Sequence, residues 1–132
     1  MKKIDFLQVP STPQEDINKG VTFWKDGKCI GIDEGKYRVL YLGHKVETST
    51  NEEGAEVKAT YAFPVRVEKP VTRDKAINAA EMEAYNLVSP MDVASFGSSL
   101  SRKFRDNKND PEVKEHDEFI TWVKEELTKV GF

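Results

Sequence analysis

Between Val57 and Glu68 the sequence alternates with a period of two. Val57, Ala59, Tyr61, Phe63, Val65 and Val67 fall on one side of an extended backbone, and Lys58, Thr60, Arg66 and Glu68 on the other. Side chains of a strand point alternately to opposite faces, so this pattern describes a strand half-buried against a core. Beyond Pro70 the period changes. Apolar residues recur every three or four positions to the end of the chain, which is the spacing of amphipathic helices. Strands first and helices second exclude a β-α-β alternation and point to an α+β fold.

The β half is read from its turns. "TFWKDGKCIGI" centres on Asp26-Gly27, a pair suited to a two-residue hairpin whose central positions both need positive φ. It pairs residues 21–25 with 28–32. A second turn at "DEGK", residues 33–36, leads into the strand "YRVLYLGHKVE", and "TSTNEEGAE" leads into "VKATYAFPVRVE". The expectation is an antiparallel meander of four strands. Pro64 cannot donate to a ladder and belongs at an edge or a bulge. The last two strands are long: eleven or twelve residues at ~3.4 Å each span roughly 40 Å, about twice a typical strand. Either a bulge near Gly43 or Pro64 bends this 36–68 hairpin, or its tip projects beyond the sheet. The tip at 48–56 carries no core residues and is expected to be mobile.

The helix starts share one device. Thr12-Pro13, Ser89-Pro90 and Asp110-Pro111 each place a capping side chain before a proline that loses no hydrogen bond at the first helical position. Thr12 with Glu15 and Ser89 with Asp92 have capping-box spacing. This predicts a short helix over 13–19 closed by Gly20, and helices over about 73–88, 90–106 and 111–130, the first of these opened by Thr72. Ile77, Ala80, Ala84, Leu87 and Val88 stripe the first long helix, with Met82 and Tyr85 at its sides. Val93, Phe96, Leu100 and Phe104 stripe the second, where Gly97 leaves room for close approach of another element. Val113, Ile120, Val123, Leu127 and Val130 stripe the third, widened by Phe119 and Trp122. The helices are expected to pack on each other and on one sheet face.

Length and charge narrow the classes. At 132 residues the chain suits a single domain, mainly β over 1–70 and mainly α over 71–132. Basic residues number 20 and acidic ones 23, for a net charge of −3, so no overall bias toward nucleic acid or anionic membrane exists. The single cysteine, Cys29, rules out an intramolecular disulfide framework and suits a reducing compartment. "MKKIDFLQVPS" lacks the apolar run of a signal peptide, and no stretch is long and apolar enough for a membrane span. The expected localisation is cytoplasmic.

"RDNKNDPEVKEHDEF" can be laid on a calcium loop starting at Asp106. However, Lys108 and Lys114 occupy ligand positions, and Pro111 stands where the loop needs glycine. Glu112 and His116 share a helix face at i, i+4, but further ligands would have to come from elsewhere. His116 also continues an apolar stripe and reads as a partly buried structural histidine. Cys29 and His44 lie on neighbouring strands and give an enzyme alternative, a small cysteine-dependent hydrolase or transferase, although neither has a local signature. Ser98, Ser99 and Ser101 follow Gly97 without a nucleophile elbow or a phosphate loop. Gly31 and Gly35 precede a hairpin where a dinucleotide fingerprint would need a helix.

Arg102, Lys103, Arg105 and Lys108 cluster at a helix-to-helix turn, which gives a nucleic-acid alternative through residues 102–108. The next helix would be the reader, and it carries Glu112, Glu115, Asp117, Glu118, Glu125 and Glu126. Acidic side chains facing phosphates argue against that use. Basic residues in a last turn and acidic ones in a first turn complement the helix dipoles instead.

The run "RDKAINAAEMEAYNLVSPMDVASF", followed by "NDPEVKEHDEFITWVKEEL", resembles uncharacterised small proteins of gut Bacteroidales and their prophages. The resemblance covers residues 73–130 and rests on texture, with no defined motif. It implies a phage or mobile-element setting and assigns no residue a role.

Together these readings give an expectation of a non-enzymatic interaction or assembly protein with no cofactor, metal or catalytic residues. Its long hairpin would add to a partner's sheet or to a second copy, giving a possible homo-oligomer.

Overall fold

The computed structural model describes residues 1–11 and 21–132. The expected short helix over 13–19, with its Thr12 cap and Gly20 stop, lies outside the described residues. The chain divides into two compact units. One comprises Asp5–Val71 and holds the sheet; the other comprises Met1–Ile4 with Thr72–Phe132 and holds the helices. The division falls where the sequence period changes from two to 3.6, so the fold is α+β.

The sheet unit contains β1 (Leu7–Val9), β2 (Thr22–Lys25), β3 (Lys28–Glu34), β4 (Tyr37–Thr50) and β5 (Glu56–Glu68). Its antiparallel order is β1-β5-β4-β3-β2. The meander of β2 to β5 matches the expectation, and β1 is the correction, making five strands where four were expected. Three residues, Leu-Gln-Val, are too few to show a period. They form a strand only because β5 offers an edge, pairing Leu7 with Ala62 and Val9 with Thr60.

The turns follow their sequence chemistry. Asp26 and Gly27 both take positive φ, 52° and 76°, as a two-residue hairpin of this type requires. Pro64 stands opposite Tyr41 on β5, beyond the last residue paired with β1, so its missing N–H falls where the ladder ends.

Register fixes what each sheet face buries. Gly31 opposes Leu40, Leu40 opposes Val65, and Leu42 opposes Phe63. Cys29, Leu40, Leu42, Phe63, Val65 and Val67 thus share one buried face. Ile32, Val39, Val9 and Ala62 are buried on the other. The sequence reading found the first face of β5 and missed Ala62, a residue small enough to break no alternation.

At one end of the first face Asp33 stands opposite Arg38 and receives two cations. Arg38 Nε lies 3.2 Å and Lys69 Nζ 2.9 Å from its Oδ1. The Lys69 hydrogen bond, followed by that of Arg38, holds the Asp33 carboxyl below its ordinary value of 3.8. A depressed carboxylate contributes stability that is complete above that value and is lost as pH falls through the lower folded one. Asp33→Asn should therefore differ most from the parent above pH 4. The difference in urea midpoint is expected to shrink as pH falls further, and a constant difference would contradict the pairing.

The helical unit holds α1 (Arg73–Tyr85), α2 (Pro90–Asp106) and α3 (Pro111–Lys129). All three caps operate as the sequence suggests. Thr72 accepts from Lys75 N, Ser89 from Asp92 N, and Asp110 from both Glu112 and Val113 N. α1 ends earlier than the expected residue 88. Asn86 adopts the left-handed conformation, φ 55°, and its N–H and that of Leu87 both turn back to the Met82 carbonyl. This leaves Val88 outside the helix and 85% exposed, not in the stripe.

Two other stripe assignments also shift. On α3 the buried line runs through Val113, Phe119, Val123, Glu126, Leu127 and Val130, so Phe119 is central and Ile120 lateral. On α2 Leu100 is buried while Phe104 is exposed. Among the described residues nothing lies within 4 Å of where a Gly97 side chain would begin, so the room left there is not filled by them. Gly97→Ala should consequently stabilise the protein by ~0.5–1 kcal/mol, the backbone entropy of a helical glycine. Denaturant unfolding measures it; a loss of stability would mean that the position is not open.

Candidate functional site

The feature that departs furthest from an ordinary small sheet is the outer half of the β4–β5 hairpin. Leu42 opposes Phe63, but the next pair is Lys45 with Tyr61, so β4 carries one extra residue. Gly43 supplies the positive φ, 64°, that such a bulge needs. Beyond it the ladder continues from Val46–Thr60 to Thr50–Glu56, and every residue from Lys45 to Lys58 is exposed. Both expectations for the long hairpin therefore hold together: it is bulged at Gly43, and its outer part extends as an exposed arm.

The arm's edges are explained by where its neighbours stop. β3 pairs with β4 only as far as Gly31–Leu40, and β1 pairs with β5 only from Leu7–Ala62 to Val9–Thr60. Among the described residues no strand flanks Lys45–Thr50 or Glu56–Ala59. At the root of the arm His44 turns back toward β3, with Nε2 2.6 Å from the Cys29 carbonyl oxygen. At the tip Asn51 organises the reversal. Its Oδ1 accepts from Glu53 N and Ala55 N at 3.0 and 2.9 Å, its carbonyl accepts from Gly54 N, and its own N–H donates to Ala55 O. Composition alone suggested a loose tip; the structure gives it a hydrogen-bonded turn, with Gly54 at φ 79°.

Cys29 and His44 are neighbours, as their strands suggested, but the contact uses the wrong atoms for catalysis. The imidazole meets the Cys29 carbonyl, while the thiol donates to Gly31 O at 3.5 Å and is 1% exposed. A nucleophile needs its own atom facing both base and substrate.

His116 resolves as a half-buried joint. Its Nε2 lies 2.7 Å from Glu81 Oε2, and its ring packs against Tyr85 of α1 and Phe96 of α2. Tyr85 also stacks on Phe96 at 4.6 Å and meets Phe119 edge-on at 5.7 Å. Burial, followed by Glu115 and Glu81, pushes the Tyr85 hydroxyl up to about 12. The sequence placed His116 correctly as partly buried but gave no hint of Glu81, because the two are 35 residues apart and no local period connects them.

The calcium-loop stretch is a helix joint. The Asp110 carboxylate serves as the α3 cap, and Asn107 Oδ1 accepts from Asn109 N. The basic turn is partly neutralised from within: Lys103 pairs with Glu112, and Arg105 lies 4.0 Å from Asp106. Among the described residues no group of three or more His, Cys, Asp or Glu is placed to hold a metal ion, and no helix is long and apolar enough to cross a membrane.

No known family matches the chain, and neither a curated protein nor a solved structure is significantly similar to it.

Proposed function

We infer that the chain is a non-enzymatic interaction or assembly protein and that the β4–β5 arm is its association surface. One observation carries the reading. An exposed two-stranded ribbon from Lys45 to Lys58 extends past both flanking strands, leaving edge N–H and C=O groups without a strand partner among the described residues. Edges of this kind accept an added strand, the main chain supplying affinity and alternate side chains specificity. The Asn51 turn supports it by holding the ribbon closed at its tip, so less ordering entropy is lost on binding. In this reading the protein works in a bacterial cytoplasm, on the phage or mobile-element assembly suggested by the resemblance of residues 73–130.

Deleting residues 47–59 and rejoining Val46 to its native partner Thr60 through a two-residue Asn-Gly turn removes the arm and tests it. The shortened protein should keep its melting temperature and lose association, either with itself by light scattering or with the proteins retained on the immobilised parent. Retention of the same associations by the shortened protein would overturn the reading.

A further inference from the structure

We propose that the arm's partner is a second copy of this chain, the two β4 strands pairing antiparallel about a twofold axis at Val46. This rests on the arm being the association surface and adds the partner and the register.

An antiparallel pair of identical strands with its axis at residue 46 sets each residue opposite the one equidistant from 46. Lys45 then faces Glu47 of the second copy, Glu47 faces its Lys45, Val46 faces Val46, and His44 faces Thr48. Lys45 and Glu47 are two apart and lie on the same face, so both charge pairs form on one side of the ribbon. Val46, 60% exposed on the other face, gains an apolar partner. Opposite charges and β-branched residues placed directly across a ladder are the stabilising cross-strand pairs, and like charges there are destabilising. A one-residue slip sets Lys45 against Thr48 or Lys45 against Val46 and forfeits both charge pairs. The contact is isologous, so it closes at two copies and does not propagate into a fibre.

The structure makes room for this pairing on β4. The β3 ladder stops at Leu40, and the Gly43 bulge intervenes before Lys45. The Cys29 carbonyl at the end of β3 is taken by His44 and does not compete for the edge. β5 carries a similar self-complementary run, Glu56-Val57-Lys58, but it ends only two residues from Thr60, where β1 pairs and the Ser11 hydroxyl lies 3.3 Å from that of Thr60, whereas the β4 run starts five residues past the last β3 pairing at Leu40. The charge pattern and the open edge coincide on β4.

The test is a charge-reversal cycle on the full chain, read as dimer dissociation by sedimentation equilibrium. Lys45→Glu and Glu47→Lys each turn two attractive pairs into two repulsive ones, so each should weaken the dimer on the order of tenfold or more. The double variant restores opposite charges at both pairs and should recover the parent affinity. Thermal melts report whether each variant keeps its fold. As a geometric check, Val46→Cys should form an interchain disulfide under mild oxidation, since directly opposed Cα atoms lie about 4.5–5.5 Å apart, within disulfide reach. The native Cys29 is buried and should not contribute.

A parent chain that remains monomeric at tens of micromolar overturns the inference, as does a dimer unaffected by either single reversal. Preferential cross-linking through Val57→Cys would assign the contact to β5 and also overturn it. Should the dimer ignore the reversals yet vanish when 47–59 is deleted, the arm remains the association surface and only the β4 register falls. Should it survive both changes, the arm reading fails as well.

Discussion

Replacing Phe119 by alanine is expected to lower the stability of the protein by ~3–5 kcal/mol, the range for deleting a buried phenylalanine ring. Phe119 is wholly buried at the centre of the α3 stripe and meets Tyr85 edge-on at 5.7 Å, with Trp122 at 6.3 Å. Its removal takes away transfer free energy and also leaves a cavity beside an aromatic cluster drawn from all three helices. The contrasting variant is Phe104→Ala on α2. That ring is 48% exposed, although its sequence position follows the same stripe rule, so its loss should cost under about 1 kcal/mol. Urea unfolding of the two variants separates them. Equal losses would mean that the helical unit packs through a different face of α2.

The second large effect is expected at Leu42, where Leu42→Ala should cost ~2–5 kcal/mol. Leu42 is fully buried, pairs with Phe63 and is the last β4 residue before the bulge. A few residues further along the same hairpin the expectation changes. Val57, 42% exposed on the arm, should cost under about 1 kcal/mol on replacement by alanine, since only its strand preference and partial burial are lost. The contrast between these two substitutions measures where the sheet ends and the arm begins. Similar losses at both positions would place the arm inside a packed core.

What was legible in the sequence was whatever local chemistry decides. The change of period near Pro70, the Asp26-Gly27 turn and the Ser89-Pro90 and Asp110-Pro111 helix starts each depend on a few adjacent residues, and each is found in the structure. What was missed depends on partners distant along the chain. β1 exists because β5 offers Thr60–Ala62 to pair with. Glu81 matters because α3 brings His116 to it.

The end of α1 is an intermediate case. Asn86 takes the left-handed conformation that ends the helix, whereas Leu87 and Val88 extend the apolar spacing past it, so spacing alone places the end too late. For the candidate site, strand length alone identified the hairpin. Its division into a buried root and an exposed arm required the register, because the sequence offers both Gly43 and Pro64 as places for a bulge and only the pairing chooses between them.

The most direct test of association through the arm is amide hydrogen exchange of the full chain over a range of protein concentrations. Segment 44–48 is compared with segment 37–40, which β3 and β5 already flank. The account predicts that protection of 44–48 rises with concentration as edge amides acquire partners, while 37–40 stays protected throughout. Fast exchange at 44–48, unchanged up to concentrations where the chain is fully soluble and folded, would contradict it.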